Sequence, residues 1–258
     1  MSIAIKMDSF IAAPLNQQQL VTGLKKAFEN AGYGVPFDEF PSGTNIILVF
    51  KVVLDSSRVY GTSYLRLRVS DSPSVSQQIY STWNALAHAG ANPSSEMFYV
   101  TLEISTQINF VALNSGSECK LVMLQQGSTV IALGCITPVN KPNWWDLNRW
   151  NYCFVPVTNT FNTLRACSLN PYNNSEHDAS LNLNRMSLAN TITNRRDILP
   201  GIIVYTQSNT GIAGRTSDDL VSVAANGTNR FDVLQIPGDN KEYLILHPNN
   251  GGLAVRTN

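Results

Sequence analysis

The sequence predicts a mainly β fold of α+β type, with two β-rich units, the first a sandwich-like sheet covered by one N-terminal helix. Three observations predict it. Residues 15–32 carry helical periodicity, apolar runs of strand length separated by turn residues follow as far as residue 133, and a second series of such runs occupies 201–256. The organisation that follows is 1–140 for the helix and first β-rich domain, 141–194 for a Trp-rich and Asn-rich connecting segment, and 195–258 for a C-terminal β-rich module.

In LNQQQLVTGLKKAFENAG the residues Leu20, Leu24, Ala27, Phe28 and Ala31 share one helical face. Asn16 is placed to cap its start, and Gly32 to supply the left-handed residue at its end. An amphipathic helix of this kind needs a sheet on which to lay its stripe. Residues 45–54 (NIILVFKVVL) read as a strand covered on both faces, and 58–70 alternate in polarity. Asp55-Ser56-Ser57 between them predicts a hairpin. Residues 77–86, 97–104, 108–113, 120–124 and 129–133 complete the first set of strands. The last two flank a hairpin tip at Gln125-Gln126-Gly127-Ser128.

The segment KPNWWDLNRWNYCFVP, 141–156, holds three of the four tryptophans, Trp144, Trp145 and Trp150, together with Tyr152 and Phe154. Prolines 138, 142 and 156 disfavour a helix there. So many rings bury much apolar area, and their N–H and O–H groups need partners. The segment reads as mortar where two domains or two subunits meet, or as the aromatic core of one domain. Residues 157–194 are rich in Asn, Ser and Thr, with short strands expected at 161–167 and 181–187. Beyond them, 201–207, 231–236, 243–247 and 253–256 read as strands. Turns are expected at Ser208-Asn209-Thr210-Gly211, at Ala213-Gly214-Arg215-Thr216 and at Pro237-Gly238-Asp239-Asn240.

Composition narrows the function. Charged residues make up 14% of the chain, below the roughly 25% of typical soluble domains, and Lys+Arg equals Asp+Glu at 18 each. Without a basic excess, binding of nucleic acid through its phosphates is not expected. A neutral surface offers little mutual repulsion, which suits a subunit that packs against others. No apolar run reaches the roughly 18 to 20 residues of a membrane span, and the N-terminus lacks the apolar core of a secretory leader. Cys119, Cys135, Cys153 and Cys167 form no CxxC pair, and His88, His177 and His247 lie far apart, so neither a metal nor a cofactor is expected. GIAGR, 211–215, reads as a turn and lacks the spacing of a phosphate loop. Glu103, Glu118, Asp218 and Asp219 are isolated acids rather than a catalytic pair. Arg195 and Arg196, beside Asp197, are the densest charge cluster and suit either an acidic patch on a neighbour or a local ion pair. The interface candidates are therefore Trp144, Trp145, Trp150, Tyr152, Arg195 and Arg196.

An early helix (LVTGLKKAFENAGYG), a β region closing on a glycine-marked hairpin and LGCITP, and a turn-rich end (YLILHPNNGGLAVR) together resemble structural proteins of tailed bacteriophages. The resemblance is to neck, tail or baseplate components and covers most of the chain as a pattern, without a catalytic or binding motif. It implies a non-enzymatic virion protein, assembled in the host cytoplasm, that forms a homo-oligomeric ring or trimer and contacts other virion proteins. The alternatives are a carbohydrate- or receptor-binding β module of a tail fibre, with Asp146, Asn148 and Arg149 as the polar rim of a sugar site, and a polysaccharide-degrading enzyme.

Overall fold

The computed structural model describes residues 3–53, 62–99, 101–116, 118–146, 149–157, 161–179, 188–207, 211–236, 238–248 and 251–258. Its first part runs β1 (Ile5–Ile11), α1 (Gln17–Asn30), β2 (Asp38–Ser42), β3 (Asn45–Val53), β4 (Thr62–Val69), β5 (Val75–Tyr80), β6 (Thr82–Asn84), β7 (Ala89–Ala91), β8 (Met97–Phe98), β9 (Ile108–Asn114), β10 (Cys119–Gln126) and β11 (Thr129–Ile136). The second runs β12 (Val155–Pro156), β13 (Thr163–Arg165), β14 (Glu176–Ala179), β15 (Ile198–Pro200), β16 (Ile203–Thr206), β17 (Ile212–Arg215), β18 (Leu220–Val223), β19 (Val233–Gln235), β20 (Glu242–His247) and β21 (Gly252–Arg256). The fold is mainly β, with α1 the helix among the described residues.

The helix starts and stops for local reasons. Asn16 accepts the Gln19 N–H at 2.9 Å while Gln19 accepts the Asn16 N–H at 3.0 Å, a reciprocal capping box. At the other end Ala31, not Gly32, is the cap. Gly32 follows at φ +82°, so that its N–H reaches the Glu29 carbonyl and the Tyr33 N–H reaches that of Phe28. All five residues of the expected stripe are buried, and Val21 joins them.

Among the described residues the strands form four larger sheets and a β6-β7 ribbon. A central sheet has the order β1-β9-β10-β11, an outer sheet β2-β3-β4-β5-β8, and two further sheets β12-β13-β14-β16-β17 and β15-β18-β21-β20-β19. β3 and β4 pair antiparallel, Ile46 with Val69 through Val53 with Thr62, while the hairpin residues 55–57 lie outside the described residues. So do 181–187. The 77–86 run divides at Ser81 into β5 and β6. The run 97–104 pairs only at Met97 and Phe98, because the Leu102 N–H turns to Pro73 and the Ile104 carbonyl to Leu15. GIAGR is not a turn: Ile212–Arg215 is β17, paired with β16 across a register shift at Val204/Tyr205.

The central sheet is covered on both faces. One face, with Phe110, Ala112, Val122, Leu124 and Leu133, packs with α1 and with Leu48, Phe50, Leu65 and Ile79 of the outer sheet. Phe28 of the helix stacks on Phe50 at 4.5 Å. The opposite face, with Val111, Leu113, Leu121, Met123 and Ile136, packs with Trp145, Tyr152 and Phe154 and with residues of both C-terminal sheets, among them Leu164, Val204, Leu244 and Val255. This second core thus draws on residues from 1–140, 141–194 and 195–258 alike, and β12 to β14 of the connecting segment share a sheet with β16 and β17.

One buried amide ties the layers together. Gln77 on β5 is fully buried; its Nε2 lies 2.7 Å from the Pro156 carbonyl and 3.1 Å from that of Ala132, and its Oε1 accepts the Gly134 N–H at 3.1 Å. The Tyr99 hydroxyl, 2.6 Å from the same Nε2, shares those carbonyls. Replacing Gln77 with Leu orphans a buried N–H and at least one carbonyl, so it is expected to cost about 2–4 kcal/mol. Urea unfolding measures this, and Gln77→Glu should not restore it, since a carboxylate brings no amide donor and a buried charge.

Candidate functional site

The Trp-rich segment is an aromatic seam inside the chain. Trp145 and Tyr152 are buried, 1% and 0% exposed, while Trp144 is 55% exposed and Trp150 is half-buried against the second core. The two indoles part at a turn, closed by the Trp145 N–H on the Pro142 carbonyl at 3.0 Å, which leaves Trp144 in solvent and turns Trp145 into the core. Trp145 meets Tyr152 at 4.9 Å, Phe154 at 6.4 Å and Tyr172 at 6.0 Å, each edge to face. The Tyr152 hydroxyl donates to the Ala213 carbonyl at 2.6 Å, fastening the segment to β17. Trp144 lies against Trp145 at 6.2 Å and meets Tyr172 edge-on at 5.5 Å. Of the polar rim named for a sugar, Arg149 covers the Trp150 ring at 4.9 Å, and Asn148 lies outside the described residues.

The two arginines separate as well. Arg196 donates to the Ala224 and Asn226 carbonyls at 2.5 and 2.9 Å, holding a loop of its own chain. Arg195 is exposed and lines, with Arg196, Ile198, Leu234 and Ile236, a surface depression of about 410 Å³.

Acids scattered in sequence find inner partners. Asp218 pairs with Arg215 at 2.7 Å, and Asp219, buried, with Arg256 at 3.3 Å. Glu118 accepts the Ser217 N–H at 3.3 Å; burial raises its pKa, and the charge of nearby Asp219 adds to the rise. The four cysteines are buried free thiols. Cys135 lies 2.8 Å from the Tyr33 hydroxyl, and burial pushes the Cys119, Cys153 and Cys167 thiols well up, which makes them poor nucleophiles. Among the described residues no group of three or more His, Cys, Asp or Glu is placed to hold a metal, and no helix is long and apolar enough to cross a membrane.

The seam encloses a neutral histidine. His177 is fully buried, edge-on to Phe154 at 5.0 Å, and burial lowers its pKa to about 4. His247 is lowered to about 4 as well, by burial and then by the Arg230 charge. The unfolded chain takes up these protons near pH 6.5, whereas the folded chain does so only near 4. Stability is therefore whole above pH 6.5 and falls as pH drops from 6.5 towards 4, by about 3 kcal/mol for His177. Urea midpoints at pH 7 and 4.5 check this, and His177→Phe is expected to reduce the dependence while leaving the share that belongs to His247.

Sequence reasoning missed one polar constellation. Asp38 on β2 is buried, accepts the Trp83 indole N–H at 2.8 Å and lies 3.0 Å from His88 Nδ1; the His88 ring stacks on Phe40 at 4.0 Å. Partners separated by 45 and 50 positions leave no spacing signal. The arrangement docks the β6-β7 ribbon on the outer sheet, leaving Leu86 at its tip 98% exposed. β1 was also missed: Ile5-Lys6-Met7-Asp8 alternate in polarity, but Ser9-Phe10 breaks the pattern before it reaches strand length.

With that geometry in place, comparison with known proteins returns no matching family model, curated protein or solved structure.

Proposed function

We propose that the chain is a structural subunit of a tailed-phage virion, a neck, tail or baseplate component that works by assembling with its own copies, as a ring or trimer, and with other virion proteins. The supporting observation is apolar surface left in water on a chain of zero net charge. Large side chains stand exposed along β1 and at Leu86, Phe98 and Ile192. Single exposed residues are ordinary, but Ile5 and Met7 share one face of β1 and Phe10 stands on the other, and exposed apolar side chains gathered on one strand mark a contact. The seam of Trp145 and Tyr152 serves this function indirectly, by making both halves of the chain one support for those surfaces. Light scattering at micromolar concentration tests the reading, together with mass spectrometry of purified particles. A defined oligomer present in particles is the expected result, and a monomer absent from them overturns it.

One observation favours a sugar-binding module of a tail fibre instead: Trp144 keeps an exposed indole beside Tyr172. Glycan-array binding that Trp144→Ala abolishes would replace the first reading with this one.

A further inference from the structure

β1 ends the central sheet and pairs on one side only, with β9. Its seven residues contain no proline. Other edge strands are guarded: β2 contains Pro41, β12 Pro156 and β15 Pro200, β8 and β19 have two and three residues, and β17, of four, is bridged at Arg215 by Asn140. β11, the opposite edge of the central sheet, is met by Phe154 and by the Gln77 amide at the Ala132 carbonyl. Along β1 the side chains of Ile5, Met7 and Phe10 are exposed, and among the described residues no second strand covers its outer side. Depressions of about 370 and 410 Å³ flank Phe10. A seven-residue edge with exposed apolar side chains on both faces is a template for another strand, and Lys6 and Asp8, which discourage unrelated strands, restrict which one it accepts.

The charges on β1 identify the strand that fits. A two-fold axis perpendicular to the sheet keeps each face on its own side, so residue i of one copy must lie opposite a residue of the same parity in the other. Registers centred on Lys6 or on Asp8 set like charges opposite one another. The register centred on Met7 sets Lys6 opposite Asp8 twice over, Met7 against Met7 and Ile5 against Ser9. Lys6 and Asp8 already form an ion pair within the strand, so exchange between copies leaves neither charge alone. We infer that β1 pairs antiparallel with β1 of a second copy about Met7, joining two central sheets into one continuous eight-stranded sheet. The inference rests on the assembly reading and specifies one of its contacts; ring closure uses other surfaces.

Charge reversal tests it, because the pairing is symmetric. Lys6→Asp leaves only acids at the two positions and Asp8→Lys only bases, so each variant alone should self-associate at least about tenfold more weakly than the parent. An equimolar mixture of the two should associate again, acid strand against basic strand, and so should the double variant Lys6→Asp/Asp8→Lys. Sedimentation velocity over a concentration series reads all four proteins, with circular dichroism to verify folding. A purely intrachain role for the ion pair would not produce association on mixing. Single variants that associate like the parent, or a mixture that stays apart, overturn the β1 pairing and leave the assembly reading standing. A parent that is monomeric at every concentration overturns the β1 pairing, and if it is also absent from purified particles the assembly reading falls with it.

Discussion

Replacing Trp145 with alanine is expected to destabilise the chain by about 3–5 kcal/mol, a large part of the 5–15 kcal/mol that holds a typical domain together. The indole is 1% exposed and is gripped by Tyr152, Phe154 and Tyr172. Its removal opens a cavity between the central sheet and the C-terminal sheets, which those rings cannot close while the Tyr152 hydroxyl holds the Ala213 carbonyl. Urea unfolding followed by circular dichroism gives the number. Trp144→Ala is the control, expected to cost about 1 kcal/mol or less because that ring already stands in water. Equal losses at the two positions would mean that the seam is not packed as described. Trp145→Phe should cost less than its lost volume suggests, since the indole N–H is buried without a hydrogen-bond partner among the described residues.

Gly134→Ala is the second large effect, at about 3–5 kcal/mol from backbone strain and displacement of a strand. Gly134 lies in β11 opposite Leu121, at φ +100°, where a side chain is strained whatever space surrounds it. A Cβ there would sit 2.3 Å from the Lys120 carbonyl oxygen and 3.0 Å from the Tyr33 hydroxyl. The carbonyl belongs to the paired strand and cannot retreat without opening the ladder. The Gly134 N–H also serves Gln77, so the substitution disturbs the layer contact along with the strand. Soluble yield and thermal midpoint check it. A midpoint within a few degrees of the parent would contradict the close approach of β10 and β11.

These two positions show what was legible in the sequence and what was not. α1 could be read because its period, its Asn16 cap and its glycine terminus agree with one another. β3, β9, β10 and β11 could be read because strands buried on both faces become continuous apolar runs. β6, β7, β12, β14 and β15 span two to four residues, too few for any period to show, and their pairing comes from neighbours distant in sequence. GIAGR looked like a turn because two glycines lie so close together; in β17, Gly214 instead makes room for the Tyr152 hydroxyl against the strand. Of the candidate site, the density of rings in 141–156 was visible, but which indole faces inward depends on the path of the chain. Gln77 appeared as one polar residue in a strand, and its importance comes wholly from Ala132, Gly134 and Pro156, all more than fifty positions away.

The central sheet, clothed on both faces, has a consequence for how the protein is made. When β11 leaves the ribosome, α1 and the outer sheet are already available to cover one face, but everything that covers the other still lies ahead. At ordinary translation rates residues 137–258, which supply that cover, take on the order of ten seconds to emerge. Through that interval Leu113, Leu121 and Met123 present a greasy, half-dressed nascent chain, and shielding it from other such chains on the same message becomes part of producing the subunit.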